Sequence, residues 1–195
     1  MTSSPSAMYN EVAESAAPIW EQVSADHYDA PTPCDAWDVR ALMLHTVTGI
    51  DGIAAMLEGA AGNSSPAAPV SDDAVLADPA GTYAAAMKRI AAASDAVDPN
   101  AEVFLGPNPM PAVAVATIMM TDAMVHTWDL ATALGVDYTM PEGPLEVAYA
   151  SSKASLTEEG RSDAPDAMFG LEVEVSDDAS LQDKYLGWIG RTPRA

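Results

Sequence analysis

The chain is short of cysteine, of positive charge and of aromatic rings, and each shortage removes a class of protein. Cys34 is the only cysteine among 195 residues, which excludes an intramolecular disulfide and any cysteine-based zinc cluster and suits a reducing cytoplasm. Lys and Arg number 8 against 29 Asp and Glu, a formal net charge of −21, with lysine confined to Lys88, Lys153 and Lys184. Such a surface repels phosphate backbones and anionic lipid, so neither nucleic acid nor a membrane surface is expected as a partner. The acidity itself reads as solubility or a salty cytoplasm rather than as a basic partner. No apolar run is long enough to span a bilayer: the longest, from Pro111 to Met120, is cut by Asp122. The opening stretch MTSSPSAMYNEVAESAAPIW has neither the basic start nor the apolar segment of a secretory signal, so a cytoplasmic location is expected. Aromatics make up 6% of the chain, and the dominance of Ala, Met and Leu over β-branched runs favours helices.

What is present has helical periodicity. Val12, Ala16, Ile19, Trp20 and Val23 share one face and predict a first helix over 7–24. A loop rich in Asp and Pro follows, and a second helix starts near 35–37 and runs to the stop at Gly59 and Gly62. Residues 63–79 are small, polar and Pro-rich and read as a long exposed connection. Pro79 or Gly81 opens a third helix, closed by Asp98 and Pro99. After a stiff loop, LGPNPMP, Pro111 suits the first turn of a fourth helix that ends at Leu134 with Gly135 as its cap. A fifth helix is expected over 144–159, then a tail from Arg161 with a strand-like FGLEVEV and a short final helix over 179–190. The expected fold is all-α: a four-helix bundle with at least one long crossover, as one domain over 1–195 with the tail 161–195 packed on it.

Chemistry concentrates on the fourth helix. Asp122 and His126 stand four residues apart and leave one face a turn apart, with Asp129 a turn beyond. A polar stripe on a helix that Val113, Val115, Ile118, Met119, Met120, Met124, Val125 and Leu130 drive into the core must be paired or neutralised there. A divalent cation is one solution, and an Asp–His ion pair is the other. The chain has three histidines, so a third partner is quickly sought. His27 lies in an Asp-rich loop and reads as a surface residue. His45 lies mid-helix on a face with Ala41, Thr48, Gly49 and Gly52, small residues that leave room for a neighbouring helix or a ligand, while Met43, Val47, Ile50 and Ala54 form the opposite, core face. His45, Asp122 and His126 together make a two-histidine, one-carboxylate set with positions left open for water, thiol or substrate; the set admits Zn, Fe(II), Ni or Mn. Trp128 reads as core or pocket wall, and Met119, Met120 and Met124 as core filling. Asp129 reads equally as a hydrogen-bond partner of a ligand histidine or as a surface pair. Cys34, between Pro33 and Asp35, reads as a buried structural thiol in preference to a reactive one.

Three stretches resemble a known family: TPCDAWDVRALMLHTVTG over 32–49, TDAMVHTWDLATALG over 121–135 and MFGLEVEVSDDASLQDKYLGWIGRTP over 168–193. They are similar to the DinB/YfiT-like superfamily, in its actinobacterial branch akin to the metal-binding N-terminal domain of mycothiol-dependent maleylpyruvate isomerase. The resemblance implies a four-helix bundle holding a divalent metal on His45, Asp122 and His126, with Asp122 where the isomerase has Glu. It implies a metal-dependent enzyme (Zn, Ni or Fe) using mycothiol or a similar low-molecular-weight thiol against a small electrophile, of S-transferase or isomerase type. The isomerase carries a further C-terminal domain, so maleylpyruvate isomerisation itself is not expected of this chain. A non-heme Fe(II) oxygen-using enzyme and a non-catalytic metal- or small-ligand-binding protein, perhaps as a homodimer, are the rival expectations.

Overall fold

The computed structural model describes residues 4–164 and 167–193, so the tail expected over 161–195 is described except at 165–166 and 194–195, and the expected domain except there and at 1–3. Four long helices make a bundle: α1 (Pro5–Trp20), α2 (Val39–Ala60), α4 (Pro79–Ala96) and α5 (Ala112–Leu134). Helix α2 packs on α4 and α5, and α1 packs on the same two from the other side. Helix α6 (Glu142–Ser155) lies against α5 and α1, and α7 (Leu181–Trp188) lies on α6. The all-α bundle expected from periodicity is the fold observed.

Local chemistry sets the helix ends. The side chains of Ser4, Asp38, Asp78 and Ser180 accept hydrogen bonds from first-turn amides of α1, α2, α4 and α7, satisfying donors a helix start leaves orphaned. Gly135 closes α5 with φ +73, a left-handed conformation that glycine adopts without a steric penalty. The core links the layers through large rings. Trp20 stacks on Tyr83 with centroids 4.2 Å apart, and its indole N–H donates to Thr127 Oγ1 at 3.2 Å, so α1, α4 and α5 meet at one side chain. Truncating such a residue to Ala costs about 3–5 kcal/mol.

Three expectations need correction. The connection over 63–79 is not wholly irregular, because Ser71 caps a short helix α3 (Asp72–Ala77) that buries Val75 against the bundle. The loop before α5 holds a small antiparallel ribbon, β1 (Glu102–Phe104) with β2 (Pro109–Pro111), pairing Val103 with Met110. Two prolines in three residues hid it, yet a ribbon with a free edge tolerates residues that lack an N–H. Conversely FGLEVEV forms no strand among the described residues: Leu171 is 57% exposed. Alternating side chains need a partner edge to make a ladder, and here only the Val173 N–H finds one, donating to Gly187 O at 2.9 Å on α7. Boundaries also move: α1 stops at Trp20, α2 starts at Val39, and α6 spans 142–155 rather than 144–159.

Candidate metal centre

Helices α2 and α5 bring the site together. Met43, Val47, Ile50 and Ala54 are fully buried, which turns His45 to the far edge of α2, where its side chain remains 41% exposed. Helix α5 is buried almost all round, so Asp122, His126 and Asp129 are carried into the interior. Between α1 and α2 the chain folds over the site: Pro31 bridges to Asp38, and Thr32 Oγ1 donates to Trp37 O at 2.8 Å and accepts from the Cys34 N–H at 3.1 Å. Trp37 is thereby laid on His45, with centroids 4.4 Å apart, and lies 5.5 Å from His126.

His45 Nε2 and His126 Nε2 face the same oxygen, Asp122 Oδ1, at 3.6 and 3.3 Å. Both separations exceed the usual N–H···O range. The three groups offer ligand atoms within 4.8 Å of one another. On its other side, His126 Nδ1 lies 3.0 Å from Asp129 Oδ2. Arg191, from the tail, grips Asp129 in a fork: Nε donates to Oδ1 at 2.9 Å and Nη2 to Oδ2 at 3.0 Å. An ionised carboxylate accepts only, so the proton of the His126–Asp129 bond belongs to Nδ1, and Nε2 is the nitrogen presented to Asp122 and His45.

The electrostatics follow from these pairings. Burial works against ionisation of Asp122, but His126 and then His45 outweigh it and hold its carboxyl far below the ordinary range. Burial likewise opposes the charged form of His126, yet Asp122 and Asp129 together keep it well above the usual imidazole value. Burial opposes ionisation of Asp129 too, and His126 and Arg191 overcome it.

Among the described residues two side-chain groups have metal-ligand spacing, His45–Asp122–His126 and Cys34–His126–Asp129. They are not equivalent. In the second, Arg191 already donates to both Asp129 oxygens and to Cys34 Sγ at 3.1 Å, so a cation there would meet a guanidinium. In the first, Asp122 Oδ2 is shielded from solvent and has no hydrogen-bond partner among the described residues. A buried carboxylate oxygen without a donor is costly. With its Oδ1 facing two imidazole nitrogens, this carboxylate fits a divalent cation, and the nitrogen–oxygen donor set suits zinc, nickel or iron.

Asp122 and His126 also line a cavity of about 140 Å³ between α5, α6 and the tail. Its walls include Tyr185 and Arg191, which sequence reasoning did not place at the site. No spacing rule links the tail to α5. The signal for Trp37 was present, since it directly precedes the α2 cap, but it was read only as part of a motif. Cys34 is half-buried rather than buried, packs against the core, and donates from Sγ to Asp129 Oδ2 at 3.3 Å, which places it beside the site. Asp129 is wholly buried, which removes its surface-pair reading. His27 is remote, its Nδ1 accepting from the Ser24 N–H at 3.1 Å in a turn before α2. Trp128 and the methionines 119, 120 and 124 are core, as expected. Gly49 lies 3.9 Å, for an added Cβ, from Met119, and Gly52 faces nothing within 4 Å, so the room beside His45 is not taken up by a close helix crossing.

An all-α bundle whose two inner helices present a His–Asp–His cluster beside a cavity defines a class, the helical bundle with a candidate metal centre. The chain belongs to the family described as the mycothiol maleylpyruvate isomerase N-terminal domain, whose profile matches residues 10–131. His45, Asp122, His126 and Asp129 fall inside that match; Tyr185 and Arg191 fall beyond it. The chain is also similar to uncharacterized proteins from two strains of Mycobacterium tuberculosis, at 28% identity over 191 residues, covering 97% of this chain and 99% of theirs. No solved structure matches it. Among the described residues, no helix is long and apolar enough to cross a membrane.

Proposed function

We propose that the protein holds a divalent metal on His45, Asp122 and His126 and is a metal-dependent enzyme. It uses mycothiol or a similar low-molecular-weight thiol against a small electrophile, in a reaction of S-transferase or isomerase type. The observation that carries this reading is the Asp122 carboxylate at the edge of a cavity, its Oδ1 facing two imidazole nitrogens and its Oδ2 buried without a hydrogen-bond partner among the described residues. Family membership supports the metal and the thiol together. When bound, the metal supplies positive charge that lowers the pKa of a coordinating thiol.

The chain's own residues do the rest. Asp129 fixes the tautomer and ring plane of His126, and Arg191 fixes Asp129. Trp37 covers the imidazoles and limits water on that side. The half-exposed His45 leaves a mouth through which a thiol too large for the cavity can reach the centre. No side chain is needed as the nucleophile, because the thiol is one.

Elemental analysis of the purified protein and of His45→Ala and His126→Ala tests the site. The variants are expected to lose both metal and thiol-dependent turnover; full metal content in either would refute the assignment. Metal retained by the native protein, with no thiol consumed against a panel of electrophiles, would refute the enzymatic half alone.

A further inference from the structure

We propose that Arg191 is a positioning residue for the metal centre, a latch through which docking of the C-terminal tail and binding of the metal stabilise each other. The inference rests on the metal proposed for His45, Asp122 and His126 and adds what holds that site closed.

The end of α7 delivers Arg191. Gly190 turns left-handed with φ +88, its N–H donates to Gly187 O at 3.1 Å, and the Arg191 N–H donates to Leu186 O at 2.8 Å. These are the paired bonds of a Schellman cap, which fixes the direction in which the chain leaves the helix. The turn requires glycine twice over, since a Cβ added at 190 would also stand 2.5 Å from Gly170 Cα. Arg161 braces the same turn, donating from Nη1 to the carbonyls of Gly170 and Trp188.

From this turn the mostly buried Arg191 side chain joins the tail to two other parts of the fold. Nε and Nη2 hold both oxygens of Asp129 on α5, and Nη2 also donates to Cys34 Sγ at 3.1 Å. Cys34 lies in the loop that lays Trp37 over the imidazoles, and its carbonyl accepts from the Trp37 N–H at 2.8 Å. With the fork in place, Asp129 Oδ2 is held 3.0 Å from His126 Nδ1. With the tail undocked, a wholly buried carboxylate loses both arms of the fork and is free to turn from the imidazole. The ring of one ligand and the cover over two then loosen together. Coupling of this kind is reciprocal, so whatever metal affinity the docked tail adds, bound metal adds to tail docking.

Chelator competition with zinc and nickel, together with hydrogen exchange followed by mass spectrometry, tests this in the full chain. Arg191→Met is expected to bind either metal about tenfold more weakly, the size of loss found when a ligand's supporting contact is removed. Gly190→Ala alters no side chain of the centre but misplaces the cap, and should weaken the metal similarly. Arg191→Lys keeps the charge without the fork and should fall between. Arg89→Met breaks a fork between α4 and α2 that touches none of the three ligands, so it should lose stability and keep the native affinity. In the native protein, metal should slow exchange over 181–193 and 31–39 by about the factor that Arg191→Met loses in affinity, and Arg191→Met should show far less slowing. Native affinity in Arg191→Met or Gly190→Ala would overturn the latch and leave the metal assignment standing, as would metal that binds without slowing exchange in the tail. If those two variants fail to fold, native affinity in Arg191→Lys overturns it instead. Native protein that takes up neither metal refutes the metal assignment itself, and the latch falls with it.

Discussion

His126 is held from both sides, by Asp122 at Nε2 and by Asp129 at Nδ1, and the second contact decides what the first can do. Asp129→Asn keeps an oxygen acceptor but removes the charge that orients the ring and balances Arg191. Metal affinity is expected to fall about 10–100-fold, read by competition with a chromophoric chelator. The variant should also lose about 3 kcal/mol of stability, because it strands a mostly buried guanidinium. An unchanged chelator midpoint would show that Asp129 serves only the fold. Of these residues, sequence supplied Asp122 and His126 through their helical spacing, and His45 through the contrast between its small-residue face and the apolar face behind it. Asp129 stayed ambiguous because its partner, Arg191, is 62 positions away, and pairing at that distance leaves no periodic trace.

At the scale of elements, glycines separate two kinds of constraint. Gly52 lies within α2, where an added Cβ meets nothing within 4 Å, so Gly52→Ala should stabilise the protein by about 1 kcal/mol through helix propensity and leave metal binding alone. At Gly187 on α7 a Cβ would stand 2.6 Å from Val173 O, a backbone atom that cannot move aside freely. Gly187→Ala should therefore loosen the tail and lower the melting temperature, with hydrogen exchange rising over 169–175 and 181–188 before the bundle. The bundle helices were legible because α1 and α2 show apolar residues at helical spacing, and α2 and α5 carry their own stop signals. The tail was not, since its apparent alternation is answered by a single bond to α7 rather than by a strand. The β1–β2 ribbon was missed for the opposite reason, its pairing being real while its prolines argue against it.

For the molecule as a whole, acidity and an internal ion pair set the response to solution conditions. Arg89, on α4, forks onto Glu58 at 2.8 and 2.9 Å and reaches Asp51 at 2.6 Å, both on α2. Asp51 in turn accepts from the Val70 N–H at 3.0 Å and so ties down the crossover. The hydrogen bonds from Arg89 hold the Glu58 carboxyl below its ordinary value of 4.5, so this contribution is complete above about pH 4.5 and is lost as pH falls further. Arg89→Met should be less stable than the native chain at pH 7, and thermal melts should show the gap narrowing below pH 4.5. A gap independent of pH would contradict the pairing. A net charge of −21 also predicts a melting temperature that rises with added salt as self-repulsion is screened. The central claim concerns the centre between α2 and α5, and metal content tests it most directly. Elemental analysis of the native protein should find a stoichiometric divalent transition metal that is lost in His126→Ala while the helical circular dichroism is kept. Native protein that neither contains nor takes up such a metal, or a His126→Ala variant that retains it in full, would contradict the account.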